Sequence, residues 1–335
     1  MIAASGQGLA RMFKNLIGSG LRRALVCGAL VLGAGAGLVA CGGGSAIQPF
    51  KPTRLFVLGD EQSLLLRDGR KYTVNALSAD GASLDCATNP LWIQVVATAF
   101  SLTFEQCNPN ASANLAARSY AEPGAKSAGA SAQLDRVMAD GPLAGKQLAL
   151  IYFGHNDMLE LYGQYPGRTR DDLISEARSR GVALAQVVNR VAQSGPAVIL
   201  VTAPDLGLSP FGRAQTAANP SEISPTRAQV LSQLTDSFNA GLRVTILNDG
   251  RLIGLVSADQ MVRDVQPPLT SYYGFINVTD PVCRSDVVLP ACDSSTLITD
   301  GTPLTYGYAD DRLFSPGFQN RLGQLAASRA LRNPF

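Results

Sequence analysis

The feature that most constrains the fold of this chain is an apolar run that stops at a glycine and an acid. Residues 54–58 read Arg-Leu-Phe-Val-Leu, and Gly59 and Asp60 follow directly. A short run of this kind, bounded by a turn residue, predicts a buried strand of a parallel sheet. In open α/β folds, ligands bind beside the side chains that follow such strands. We therefore expect Glu61, the next residue, to lie at the functional edge of the sheet.

Further apolar runs alternate with segments of helical periodicity. The predicted strands cover residues 147–153, 197–202 and 252–256, and the predicted helices start near Asn89, Arg170 and Ser224. Strands that alternate with helices favour a parallel sheet flanked by helices on both faces. The sequence therefore predicts a three-layer α/β/α sandwich with a mainly parallel central sheet.

The first 41 residues have the layout of a secretory signal. They hold four basic residues and no acidic residue, and an apolar run covers residues 24–40. The run ends Leu-Val-Ala-Cys41, which resembles the lipobox of bacterial lipoproteins, whose cysteine is lipidated and becomes the mature N-terminus. A transmembrane anchor is the alternative, but the run is short for a bilayer span, which takes about 20 residues.

The lipobox resemblance implies a division of the chain into three parts. These are a signal peptide over residues 1–41, a flexible Gly/Ser/Pro tether over residues 42–51 and one domain over residues 52–335. Gly42 is not the aspartate associated with inner-membrane retention in enteric bacteria. We therefore favour the outer membrane of a bacterial envelope as the location, with the membrane as partner through a lipid on Cys41.

Charge gives no sign of a nucleic-acid partner. The 28 Lys and Arg residues lose four with the signal, which leaves 24 against 26 Asp and Glu residues. No basic excess remains to bind phosphates. The remaining length suits one large α/β domain, and we expect a monomer without a cofactor.

Four cysteines remain once Cys27 and the lipobox cysteine are set aside. They are Cys86, Cys107, Cys283 and Cys292. An even number in an oxidising compartment predicts two disulfides. Of the three possible pairings we expect the local one, which joins the first cysteine to the second and the third to the fourth. A metal site is the alternative, but the only histidine lies elsewhere and no Cys-x-x-Cys motif occurs.

The motif at the end of the first strand resembles the first block of SGNH, or GDSL, hydrolases. These are esterases whose nucleophilic serine directly follows Gly-Asp, and Glu61 takes the position of that serine here. Residues 122–125, Glu-Pro-Gly-Ala, resemble the second block, in which a glycine amide donates into the oxyanion hole. That glycine is Gly124, although Pro-Gly also occurs in ordinary turns.

The third block of the family is the strongest of the matches. Residues 154–157 read Gly-His-Asn-Asp after a predicted strand, and they match the Gly-x-Asn-Asp pattern. The resemblance makes the Asn156 side chain the second oxyanion donor, while capping of the following turn is the alternative role. Residues 204–207, Pro-Asp-Leu-Gly, also resemble a family loop. The resemblance covers about residues 53–332 and implies the flavodoxin-like SGNH fold.

The last block of the family, Asp-x-x-His, falls within residues 309–316. If Asp310 is the triad acid, the histidine position is Leu313. If Asp311 is the acid, the position is Phe314. We prefer the first register, and neither supplies an imidazole.

Other residues could carry chemistry in place of the missing serine and histidine. His155, the only histidine, would have to reach across the site, and Ser63 lies two residues beyond the nucleophile position. The Glu61 carboxylate could accept hydrogen bonds from Asn156 and from the Gly124 amide and so fill the hole itself. It could also attack as a carboxylate, as in retaining glycosidases, with Asp310 as partner.

Two functional hypotheses follow from the resemblance. Acyl transfer needs a hydroxyl, a base, an orienting carboxylate and an oxyanion hole, and the first two are missing from their positions. The leading hypothesis is a lipid-anchored, degenerate SGNH domain that acts as a binding or structural module for an acyl-ester, glycan or lipid ligand. The alternative is an ester hydrolase with a rearranged site.

Overall fold

The computed structural model describes residues 50–248 and 250–332. The predicted signal peptide, Cys41 and most of the predicted tether lie outside the described residues, so the division into three parts stays a prediction. No helix of the described residues is both long and apolar enough to cross a bilayer.

The described residues form nine strands and eight α-helices. The strands are β1 (Arg54–Gly59), β2 (Ala76–Leu77), β3 (Leu84–Asp85), β4 (Ala117–Ser119), β5 (Gln147–Tyr152), β6 (Ala197–Val201), β7 (Ile253–Val256), β8 (Asn277–Pro281) and β9 (Tyr306–Tyr308). The helices are α1 (Trp92–Ala99), α2 (Ala130–Ala139), α3 (His155–Tyr162), α4 (Arg170–Gln193), α5 (Pro210–Ala218), α6 (Arg227–Thr245), α7 (Ala258–Asp264) and α8 (Pro316–Arg332). Short 3-10 helices cover Glu61–Ser63, Ser127–Gly129, Leu206–Leu208 and Ser271–Tyr273.

Five strands form one fully parallel sheet in the order β4-β1-β5-β6-β7. Strand β4, the second of the five along the chain, lies at the edge of the sheet beside β1, and β5, β6 and β7 follow on the other side of β1. This 2-1-3-4-5 order is that of flavodoxin-like folds. In the register of the sheet, Leu55 lies opposite Leu148, and Leu148 lies opposite Ala197. Two small sheets, β2 with β3 and β8 with β9, lie apart from the main one.

The strands of the main sheet bury both of their faces. Leu55 and Val57 belong to a core cluster that includes apolar residues of α1 and α8. Phe56 and Leu58 belong to a second cluster, with apolar residues of α2, α4 and α6. Because successive strand residues point to opposite faces, strands β1, β5, β6 and β7 each contribute to both clusters. The predicted three-layer α/β/α sandwich with a parallel sheet is confirmed.

Two disulfides are present, with the predicted local pairing. Cys86 pairs with Cys107 and Cys283 pairs with Cys292, with Cα–Cα distances of 5.8 and 6.1 Å. The first joins the segment before α1 to the segment before β4. The second closes the loop that follows β8.

Two helix starts differ from the sequence prediction. Helix α1 begins at Trp92, and α6 begins after Thr226 instead of at Ser224. Thr226 is the better cap because its hydroxyl accepts from the Gln229 amide while the Gln229 side chain accepts from the Thr226 amide. The side chain of Trp92 is fully buried in the core.

Candidate functional site

The motifs that resemble family blocks meet at the carboxyl edge of the sheet. Gly59, the last residue of β1, lies opposite Tyr152, the last residue of β5. Glu61 and Asn156 follow these two strands. The segment after β4 joins them, because the amide of Glu122 donates to the Gly59 carbonyl over 3.1 Å.

Glu61 fills the position between the two expected oxyanion donors. Its Oε1 accepts from the backbone amide of Gly124 at 2.5 Å, and its Oε2 accepts from Asn156 Nδ2 at 2.8 Å. The same Asn156 nitrogen donates to the Ala125 carbonyl over 3.1 Å. Hydrogen bonds to an ionised acceptor are stronger than neutral ones. The half-buried carboxylate therefore occupies the donors that an acyl-transfer site would offer to a substrate oxygen.

The turn before Glu61 is fixed by close packing and by hydrogen bonds at Gly59. A Cβ on Gly59 would meet the Tyr152 carbonyl oxygen at 2.8 Å, so the strand-to-turn junction has no room for a side chain. Gln133 of α2 clamps this residue, because its Oε1 accepts from the Gly59 amide at 2.7 Å and its Nε2 donates to the Gly59 carbonyl at 2.8 Å. Nothing in the sequence pattern indicated this role for Gln133.

Asp60 caps the short helix that begins at Glu61. Its Oδ1 accepts from the Gln62 amide at 3.0 Å, while its buried Oδ2 has no hydrogen-bond partner among the described residues. Burial first, and the neighbouring Glu61 charge second, raise the pKa of the Asp60 carboxyl well above its usual range. A raised pKa favours the neutral form of the Asp60 carboxyl.

Asp157 fixes the loop that carries Gly124. The buried carboxylate accepts from the amide and the hydroxyl of Ser127, each over 2.8 Å. Asn156 and Asp157 therefore tie the loop between β4 and α2 to the start of α3. The acid was visible in the Gly-x-Asn-Asp motif, but its partner lies 30 positions away and only the folded chain identifies it.

The last block lies next to the first. The amide of Phe314 approaches Gln62 Oε1 at 3.4 Å. Asp310 Oδ1 accepts from the amides of Arg312 and Leu313 at 2.8 and 2.6 Å, and burial raises the pKa of its carboxyl. Its Oδ2 makes no hydrogen bond with the described residues.

Both candidate histidine positions of the last block hold buried apolar side chains. Leu313 packs in a small cluster with Val74, Val282 and the Cys283–Cys292 disulfide. Phe314 belongs to the core cluster that also contains Leu55 of β1. Neither side chain can exchange a proton with Glu61.

His155 is buried beside the site. Its side chain is 2% exposed, and its Nδ1 has no hydrogen-bond partner within the described part of the chain. Burial, and then the positive charge of Arg312, lower the pKa of His155 to about 3. A general base works best when its pKa lies near the working pH, so His155 is a poor base at neutral pH.

We expect His155→Gln to flatten the acid side of the stability profile. The folded-state pKa of about 3 lies below the unfolded value of 6.5, so between these values the unfolded chain binds more protons. Stability from this group is therefore lost as the pH falls, by up to about 1.4 kcal/mol per pH unit. Urea unfolding at about pH 6.5 and about pH 4.5 measures the effect. Equal pH dependence of the two proteins would contradict this prediction.

Ser63 has a structural partner. Its side chain is fully buried, and its Oγ accepts from Trp92 Nε1 at 3.1 Å. Its carbonyl accepts from the Ser119 hydroxyl at 2.9 Å. These contacts connect the turn after β1 to α1 and β4.

The described residues contain no group of three or more His, Cys, Asp or Glu side chains arranged to hold a metal ion.

Comparison with known proteins finds similar solved structures but no similar sequence. No protein-family model matches the chain, and a search of curated proteins finds no similar sequence. A catalytic variant of an acetylxylan esterase from Geobacillus stearothermophilus is 12% identical, with a TM-score of 0.41 over 85% of this chain and 97% of that one. A lipolytic protein of the G-D-S-L family from Veillonella parvula is also 12% identical, with a TM-score of 0.37 over 83% of this chain and 96% of that one.

A protein from Bacillus subtilis is similar over part of its length. It is 12% identical, with a TM-score of 0.39 over 84% of this chain. The chain spans 57% of the Bacillus subtilis protein.

Proposed function

We propose that this chain is a lipid-anchored protein of the bacterial envelope whose SGNH-like domain binds a ligand without hydrolysing esters. The observation that carries the proposal is the position of Glu61, whose carboxylate accepts from both the Gly124 amide and the Asn156 side chain. An oxyanion hole works by keeping such donors for charge that develops in the transition state. Here a side chain of the protein itself takes them.

The surroundings of Glu61 support the same proposal. Leu313 and Phe314 are apolar and buried, and the pKa of His155 is about 3. A site that lacks the nucleophile and the base keeps at most the rate acceleration that the oxyanion hole and substrate binding provide, which is roughly 10³ to 10⁴-fold over the reaction in water.

The location rests on the N-terminal sequence. The run that ends in Cys41 resembles a lipobox, and two disulfides suit an oxidising compartment. We place the protein at the outer membrane, with the lipid on Cys41 as its contact with the bilayer.

The alternative, an ester hydrolase with a rearranged site, is favoured by one observation. Gly124 and Asn156 keep the geometry of a donor pair, since both bind one carboxylate. A nucleophile other than residue 61 would have to displace Glu61 to use them.

The purified protein is expected to resist a fluorophosphonate probe and to leave p-nitrophenyl acetate unhydrolysed above the buffer rate. No hydroxyl stands at residue 61, and His155, the one histidine of the sequence, has a pKa of about 3 and is a poor base at neutral pH. Mass spectrometry for the phosphonyl adduct and absorbance for nitrophenol give the two measurements, with an active serine esterase as positive control. Turnover that disappears in Ser63→Ala or His155→Gln would establish the rearranged hydrolase instead.

A further inference from the structure

The two edges of the main sheet carry opposite charge. The three residues that precede each of its five strands include three basic side chains and no acidic one. These are Lys51, Lys146 and Arg251. The three residues that follow each strand include four acidic side chains and no basic one. These are Asp60, Glu61, Glu122 and Asp259. Because the sheet is fully parallel, the first set lies at its amino edge and the second at its carboxyl edge, where the candidate site lies.

Helix α8 brings further positive charge to the amino edge. Its last turn holds Arg329 and Arg332. The helix ends at this edge, because Leu331 and Lys51 line the same cavity of about 540 Å³. The dipole of a helix C-terminus attracts cations, which accounts for the two arginines. It does not account for the lysines, which precede strands.

The cations of the amino edge are available to a partner. Four of them are exposed and form no ion pair with any described residue. They are Lys51, Lys146, Arg329 and Arg332. The carboxylates of Glu105 and Asp140, which line a cavity with Thr53, both pair with Arg118, at 3.6 and 2.6 Å. The amino edge therefore presents positive charge that no described acid balances.

The tether decides what the amino edge faces. Residues 42–51 link Cys41 to the domain, and a chain of this length spans at most about 35 Å when extended and about 17 Å on average when flexible. Since β1 begins at the amino edge, a lipid on Cys41 keeps this edge near the bilayer. The carboxyl edge lies farther away by the length of α8, whose 17 residues span about 25 Å.

We propose that the amino edge of the sheet docks on an anionic phospholipid bilayer, so that the candidate site faces away from the membrane. The inference rests on the proposed lipid anchor and adds the surface by which the domain meets the bilayer. Each basic side chain near an anionic bilayer strengthens binding about fivefold, while the acidic carboxyl edge is repelled. The Glu61 site therefore takes its ligand from the space beyond the domain and not from the bilayer that holds the anchor.

The test is sedimentation of the chain that starts at Gly42 with vesicles made of equal parts of phosphatidylcholine and phosphatidylglycerol. The described residues belong to one compact unit that contains both disulfides, so this chain keeps the fold without the first 41 residues. We expect saturable binding at about 0.1 M salt that weakens as more salt is added, and no binding to phosphatidylcholine alone. Because the chain has 24 basic and 26 acidic residues, its net charge supplies no attraction.

Lys51→Gln combined with Lys146→Gln should weaken vesicle binding about 25-fold, which is about fivefold for each charge removed. Arg67→Gln combined with Arg178→Gln is the matched control. Both arginines are exposed, lie outside the amino edge and form no ion pair with the described residues. The control should change the affinity less than about twofold, because exposed charges are screened beyond about 10 Å at this salt concentration.

Three outcomes would overturn the inference. These are absence of binding, equal binding to vesicles of phosphatidylcholine alone, and equal losses in the two double variants. Tighter binding of polyglutamate than of the vesicles would make an acidic protein the partner instead. The proposed function fails separately, through ester turnover or through a Cys41 that carries no lipid in mass spectrometry of the protein isolated from cells.

Discussion

Glu61→Ser combined with Leu313→His is expected to hydrolyse p-nitrophenyl acetate at least about 100-fold faster than Glu61→Ser alone, because a positioned general base contributes about 10² to 10⁴-fold. The single variant supplies a hydroxyl that nothing deprotonates, and triad members act as a unit. The Gly124 amide and Asn156 would be released from Glu61 to receive the oxyanion. Asp310 Oδ2, which makes no hydrogen bond with the described residues, could accept from the new imidazole. Initial rates and fluorophosphonate labelling measure the gain.

A histidine placed elsewhere is the matched control for this prediction. Glu61→Ser with Leu325→His adds an imidazole at a residue of α8 that is 42% exposed, and its rate should equal that of the single variant. If Phe314→His gives the gain instead, Asp311 is the triad acid and the other register is right. If Glu61→Ser shows the same rate alone as in combination with Leu313→His or with Phe314→His, the last block cannot present a base to residue 61.

Lys71→Met is expected to lower the free energy of unfolding by about 2–4 kcal/mol, since each buried polar group left unpaired costs about 1–3 kcal/mol. The side chain is fully buried, and its Nζ donates to the carbonyls of Cys86, Thr88 and Asn89 at 3.1, 2.7 and 2.9 Å. Gln94 would still donate to the Cys86 carbonyl, so two carbonyls lose their partner. Removal of a buried charge offsets part of this cost.

Urea unfolding with the disulfides intact measures the effect of Lys71→Met. Burial lowers the pKa of Lys71 to about 8, so at neutral pH the side chain is an ammonium with three donors for three carbonyls. Lys146→Met is the control because Lys146 is exposed, and it should change stability by less than about 0.5 kcal/mol. Similar losses in both variants would mean that the three hydrogen bonds contribute nothing measurable.

The parts of the fold that could be predicted are those with a strong local signal. Strand β1 covers the predicted run 54–58 and one further residue, Gly59, and α4 covers Arg170–Gln193, as its periodicity indicates. Strand β4 has no signal in the sequence, because its three residues, Ala-Arg-Ser, have no apolar pattern. This strand forms only because β1 offers it a partner with Leu55 opposite Ala117. Tertiary pairing overrides weak local preference there.

The sequence by itself determined which side chains stand at the carboxyl edge of the sheet. Parallel strands bring the residues that follow them to one edge, so the order of motifs was enough to place Glu61 near Asn156 and to leave that edge without a second imidazole. Only the tertiary structure decided how far the side chains at this edge are buried and in which direction their pKa values shift. Burial among distant segments sets the low pKa of His155 and the raised pKa of Asp60. Folding also places the Gln133 side chain on the Gly59 amide and carbonyl, a contact that no motif of the sequence indicates.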